Sequence, residues 1–315
     1  MSAPRRLDPI AQIARTAGTR VLLLTALAAV AACADQQAPS APSATKGSTG
    51  NGSSATPSLV YVSDASGTPQ LWTYVNGRTS RLSFSDAEDD QPSSAAGRIA
   101  FSSTRDGNSE IYLGTTTLAA LKRLTIDPAE DMEPALSPDG ARLVFVSTRS
   151  GTPRLWMTDS TGANQTPLET GSESFTPERA PAWSPSGTLI AFSSTRSGTS
   201  QIYVVGLAGG EAQQLTHELG GAFDPAWSAD GATLYFVSAS STPKVRALDL
   251  ETGQASDFAS GAASLGEPTC AVSGCFLVRG AYSPSGDIVA PGKRGQLTTV
   301  IATSADERSP AILVP

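Results

Sequence analysis

Histidine is almost missing from this chain. His217 is the only one in 315 residues, which argues against metal centres and proton-transfer chemistry built on several imidazoles. There is no Gly-x-Ser-x-Gly nucleophile elbow and no phosphate-binding Walker loop, so two common hydrolytic plans are absent. No catalytic residue, metal or cofactor is expected. Charged residues make up 16% of the chain, well under the usual quarter, and acids outnumber bases. Long solvent-facing amphipathic helices are therefore not expected. The one sustained apolar run, residues 21–32, is too short to cross a bilayer as a helix.

What the chain does have begins at its N-terminus. Arg5, Arg6, Arg15 and Arg20 precede the apolar run, which ends in Val30-Ala31-Ala32-Cys33. Residues 1–32 read as an export signal. The Arg5-Arg6 pair lies too far ahead of the apolar run for twin-arginine export, so general secretion is the expectation. Small residues before Cys33 resemble the bacterial lipobox, which implies a lipoprotein anchored through an acylated Cys33. The alternative is ordinary cleavage with Cys33 left free. Residues 33–57 hold Ser, Ala, Pro, Gly and Thr with hardly a large apolar side chain, too little buried surface to offset ordering entropy, so a tether is expected. Ala34, and not Asp, follows the cysteine; by the lipoprotein resemblance this implies the outer membrane, facing the periplasm. Without residues 1–32 the chain loses four arginines and one aspartate, leaving 18 basic and 28 acidic side chains, a net charge of −10. Nucleic acid is excluded as a partner by that sign.

Residues 58–315 repeat. Pro134-Ala-Leu-Ser-Pro-Asp-Gly140, Pro181-Ala-Trp-Ser-Pro-Ser-Gly187 and Pro225-Ala-Trp-Ser-Ala-Asp-Gly231 align directly, with a shorter version ending at Gly97 and a degenerate one ending at Gly274. The glycines are separated by 43, 47, 44 and 43 residues, the spacing of a four-stranded propeller blade. Each unit carries four short β-rich runs, A to D; in one unit they are 182–184, 189–193, 201–205 and 213–216. The first unit has only B (59–62), C (70–75) and D (79–84), whereas residues 310–314, past the last D run at 296–303, begin with Pro-Ala like an A strand. An open ring would leave bare edges. The reading is an all-β, six-bladed β-propeller closed by a C-terminal strand that completes the first blade.

The Ser-Pro-Asp-Gly turn, Phe-Ser-Ser-Thr-Arg, Ile-Tyr and Leu-Thr together resemble the WD40-like (PD40) repeat of TolB-like propellers. The resemblance covers most of residues 58–315 and implies a binding module. The N-terminal α/β domain of TolB has no counterpart here, so the Tol–Pal partnership does not carry over. Similar repeats form the propellers of prolyl-oligopeptidase-like peptidases, and propeller lyases surround a channel metal with several histidines, unlike this chain.

Within the repeat, Asp139 and Asp230 read as turn residues and not metal ligands, because the A-to-B turn alone demands them. The aromatics Trp72, Tyr112, Trp156 and Tyr203 on strand C, and Phe101, Phe145, Phe192 and Phe236 on strand B, read as packing between blades. Trp183 and Trp227, on the innermost strand, are either core or channel lining. Cys270 and Cys275 form an even pair suited to a disulfide in an oxidising compartment, the alternative being two reduced, buried thiols.

Acids gather before the repeated proline in Asp89-Asp90-Gln91-Pro92, Asp131-Met-Glu133-Pro134, Asp224-Pro225 and Glu267-Pro268, replaced once by Glu178-Arg179-Ala180-Pro181. Arg105, Arg149 and Arg196 stand in Ser-Thr-Arg-x-Gly turns between strands B and C. Since strands alternate direction, D-to-A and B-to-C loops share one face. Either these charges pair among themselves, or Arg105, Glu133, Arg149, Arg179, Arg196, His217, Asp224 and Glu267 mark a binding face for a polar ligand or an envelope protein. A monomer and a non-catalytic role are expected. The alternative is a carboxylate-based hydrolase or lyase acting on a periplasmic glycan or peptide, since carboxylate pairs leave no strict sequence spacing.

Overall fold

A computed structural model describes residues 58–313 apart from 173–174, 240, 260–263, 272–273, 281–285 and 292–295. The export signal (residues 1–32), Cys33 and the tether (residues 33–57) lie outside the described residues. Among the described residues, twenty-four strands form six antiparallel sheets of four. Blade one joins Glu307–Ile312 as strand A to Leu59–Ser63, Gln70–Val75 and Arg78–Arg81. In the other five blades the sheet order follows the chain. Strand A is Asp89–Ala95, Asp131–Leu136, Glu178–Trp183, Ala222–Trp227 and Leu265–Ala271 in blades two to six.

The ring closes where the sequence pattern predicts. Leu59 pairs with Ile312 and Ser63 with Glu307, and the Leu313 N–H donates to the Ser58 carbonyl at 2.9 Å. This removes the edge that strand B of blade one would otherwise expose. Six apolar clusters lie at the six junctions between neighbouring blades. The junction of blades six and one, for example, joins Phe276, Ile288 and Ile301 to Leu59, Tyr61 and Ile312. Phe101, Phe145, Phe192 and Phe236 are fully buried. Each such ring contributes about 2–3 kcal/mol by leaving water, so the ring is held by interblade packing that no single blade can provide.

The repeated motifs have local duties. At Ser137-Pro138-Asp139-Gly140 the Asp139 carboxylate accepts from the Ala141 N–H (3.0 Å) and the Ser137 hydroxyl, while Gly140 adopts φ 66°. These bonds hold the Asp139 carboxyl below its usual range, the Ser137 hydroxyl contributing most. The Leu-Thr motif has a second role: the hydroxyl of Ser83, Thr125 or Thr216 accepts from the N–H of Leu71, Ile111 or Ile202. The same hydroxyl donates to Gln70, Glu110 or Gln201 at the head of strand C.

Strand A starts several residues earlier than the run 182–184 suggests: in that blade it is Glu178–Trp183. The acids ahead of the proline therefore belong to the strand and not to a loop. A β-bulge interrupts pairing between the second and fifth residues of strand A, as between Asp90 and Ser93 or Met132 and Ala135. That break, together with a proline that has no N–H, conceals the strand's beginning in the sequence.

Candidate functional site

The bulge sorts the acids into two sets. The first residue of strand A is buried: Asp89, Asp131, Glu178 and Glu307 are at most 1% exposed. Three of these receive the turn arginines, Arg105 to Asp89 at 2.7 Å, Arg149 to Asp131 at 2.5 Å and Arg196 to Glu178 at 2.7 Å. Each guanidinium also lies over two rings of its own blade. Arg105 is 4.7 Å from the Tyr112 centroid, Arg149 4.5 Å from Trp156 and Arg196 4.6 Å from Tyr203. Ion pairing plus cation–π contact locks these side chains into the scaffold. Burial is the main influence raising the Asp131 carboxyl, with the Ser147 hydroxyl and Arg149 opposing it.

The third residue of strand A behaves differently. Gln91, Glu133, Ala180, Asp224, Glu267 and Ser309 all have φ between 48° and 53°, a conformation costing about 1–3 kcal/mol for a residue with a Cβ. Their side chains and the prolines that follow line an axial opening of about 180 Å³ on the D-to-A face. Neighbouring blades are stitched there. The Glu133 N–H donates to Gln91 Oε1 at 3.0 Å, the Ala180 N–H to Glu133 Oε2 at 2.6 Å, and the Ser309 N–H to Glu267 Oε2. Arg179 pairs with Glu133 at 2.7 Å. Burial pushes the Glu267 carboxyl up to about 7, with the Asp224 and Asp90 charges adding to the rise and the Ser309 N–H opposing it.

Beyond the prolines the channel widens into an apolar cavity of about 450 Å³. Trp183 and Trp227 line it while remaining at most 9% exposed. Their indole N–H groups donate to the Ala135 and Ala182 carbonyls of the preceding blade at 2.9 and 3.1 Å. Both readings of these tryptophans hold together: they are core side chains whose edges form the channel wall. Cys270 occupies the same place in blade six and is disulfide-bonded to Cys275, its cross-strand partner.

Of the eight residues proposed for the binding face, Glu133, Asp224 and Glu267 meet at the axis and Arg179 borders it through Glu133. Arg105, Arg149 and Arg196 turn inward. His217 is exposed on a D-to-A loop, its Nδ1 3.0 Å from Gln214 Nε2. Gln91, Ala180 and Ser309 complete the axial ring, and their place directly before a repeated proline is the sequence signal that marks them. Phe84, Ile126, Phe175 and Leu219 are exposed apolar residues that the charge pattern of the repeat does not mark. Among the described residues no group of three or more His, Cys, Asp or Glu side chains is placed to hold a metal ion.

Six four-stranded blades around an axial channel define a β-propeller of WD40-like repeats. The TolB beta propeller domain (PD40) model matches residues 92–179 and 172–313, and the chain belongs to that family. A TolB homologue of Chlorobium luteolum is 30% identical over 157 residues, which is 50% of this chain and 35% of that protein. The chain thus matches about a third of that relative's length. Among solved structures, TolB from Acinetobacter baumannii superposes with a TM-score of 0.67 at 22% identity, over 81% of this chain and 66% of that one. A puromycin-hydrolyzing peptidase of Mycobacterium tuberculosis superposes with a TM-score of 0.55 at 14% identity, over 74% of this chain and 42% of that one. At these identities the structural likenesses speak to the fold.

Proposed function

We propose that this protein is a non-catalytic binding module of the bacterial cell envelope that uses its D-to-A face to hold a protein or polar ligand. One observation carries the reading. The positions that build the blades repeat their chemistry, whereas the six side chains brought to one axial opening are Gln, Glu, Ala, Asp, Glu and Ser. Bulges that re-aim side chains are typical of functional sites, and the backbone cost is borne at every blade. Membership of the TolB propeller family supports an envelope location. An acylated Cys33, outer-membrane anchoring and a monomeric state complete the proposal. Residue 59 begins a B strand, so the preceding segment enters at the A-to-B end of the ring. A tether there would join the ring on the face opposite the D-to-A loops. The test is Asp224→Lys, followed by quantitative affinity purification from membranes: the partner set should shrink, and an unchanged set would sink the idea.

One observation favours a second reading, a carboxylate-based hydrolase or lyase. Burial raises Glu267 to about 7, with the charge of Asp224 adding to the rise, and a carboxyl raised in this way can hold a proton for general acid chemistry. Turnover of periplasmic glycans or peptides that disappears in Glu267→Gln is its test; no turnover with the parent chain rejects it.

A further inference from the structure

Large apolar side chains left in water are sharply localised. Phe84, Ile126, Phe175 and Leu219 are 75%, 79%, 73% and 99% exposed. Among the described residues the next most exposed large apolar side chain, Val75, is at only 38%. All four stand in the D-to-A loops of consecutive blades, in segments 82–88, 124–130, 168–177 and 215–221. Phe84 and Ile126 occupy equivalent positions, directly after Leu-Ser and Leu-Thr. By topology these loops emerge on one face, so the four side chains form an arc around half of its rim. Isolated exposed apolar residues need no explanation, but a grouped set on one face marks an interaction surface.

Acids dominate the loops that carry the arc. The six D-to-A segments, which also include 260–264 and 302–306, contain eight acids and no lysine or arginine. Asp86, Glu88 and Glu130 are exposed and take part in none of the described ion pairs. Of the arginines on this face, Arg105, Arg149 and Arg196 are committed to buried acids and Arg179 to Glu133, while Arg81 donates to the Ser83 carbonyl and lies 5.0 Å from the Phe84 ring centroid. Part of the loop charge is offset, Glu218 by Arg246 and Asp306 by Arg308, and the remainder, carried by acids such as Asp86, Glu88 and Glu130, steers positively charged surfaces towards this face.

We infer that the rim formed by Phe84, Ile126, Phe175 and Leu219 docks a second protein whose contact surface combines apolar pockets with lysine or arginine side chains. This deepens the binding-face reading and rests on it. Apolar tips spread over four blades suit a broad protein surface better than a small ligand, which would need convergent walls. Aromatic and large aliphatic anchors supply binding energy, and the surrounding acids select a basic partner and set the approach rate. Acidic loops disfavour an anionic lipid surface, and two copies of the same acidic face repel each other.

The experiment places a photoactivatable phenylalanine analogue at Phe84, at Leu219, at Ala180 in the axial ring, and at Val75 on the opposite face, each in the full chain in cells. The expected result is one shared protein adduct from positions 84 and 219, none from 75, with the crosslinked segment of the partner net positive. The purified pair should lose about tenfold or more in affinity with Phe84→Ser and Leu219→Ser together, and should weaken as salt rises. Adducts to a second copy of this chain, to lipid, to an acidic partner surface, or from no rim position would overturn the inference. An adduct from Ala180 alone would leave the binding-face reading standing while the rim inference fails; an adduct from neither place would remove both.

Discussion

Arg105 lies 2.7 Å from the Asp89 carboxylate and spans two rings, with its guanidinium 5.5 Å from the Phe101 centroid and 4.7 Å from that of Tyr112. The Asp89 side chain is wholly buried, so removing the cation strands a charge. Arg105→Ala is expected to cost about 3–5 kcal/mol. Arg196→Ala should cost less, because Glu178 keeps Arg154 at 3.1 Å. Urea denaturation of the two variants tests the order, and equal losses would contradict the account.

Stability should fall between about pH 4.5 and about pH 7 through Glu267. Its folded value is raised to about 7 from 4.5, so in that window the folded chain holds a proton that the unfolded chain has released. The contribution is complete below the unfolded value and is lost as pH rises through the folded one. Burial raises Asp131 and Glu307 in the same direction, so parent and variant must be compared. The difference in urea midpoint between Glu267→Gln and the parent should grow with pH across the window and then level off. A flat difference would show that Glu267 has no raised value.

Ring closure depends on the strand Glu307–Ile312. Deleting residues 307–315 exposes strand B of blade one as an edge and opens the Leu59, Tyr61 and Ile312 cluster to water. Loss of a single cooperative unfolding transition and rapid proteolysis near residues 58–75 are expected. An unchanged transition would mean that the ring does not need its seam.

The Cys270–Cys275 bridge closes a very short loop, with a sequence separation of 5. In the chain-entropy account it contributes about 2 kcal/mol, the low end of the usual range. Replacing both cysteines by alanine should lower the urea midpoint modestly and leave the circular-dichroism spectrum of the β-sheets unchanged. Collapse of the fold on reduction would show that the bridge does more than hold one hairpin.

Much of the architecture was legible because its determinants are local. Turn residues at a fixed interval mark the blades: Gly140 lies beside Asp139, and that pairing survives in any context that needs an A-to-B turn. The Pro-Ala at 310 and 311 pointed to the closing strand for the same reason. The strand starts were illegible, since a bulge shifts the alternation of inward and outward side chains and the proline masks the missing ladder bond. As a result Asp131 and Glu133, two residues apart, looked alike in the sequence. One is a buried partner of Arg149 and the other faces the axis.

Six blades, their turns and their closure can be read along the chain, because each follows from nearest-neighbour chemistry repeated at a regular interval. Which charges remain available and which apolar side chains stay in water is set by packing in three dimensions. Burial at Asp89 or exposure at Leu219 depends on the strands and loops brought round from elsewhere in the ring. A solvent-facing leucine and a core leucine have the same local grammar, and the difference between them is made by the neighbouring blade.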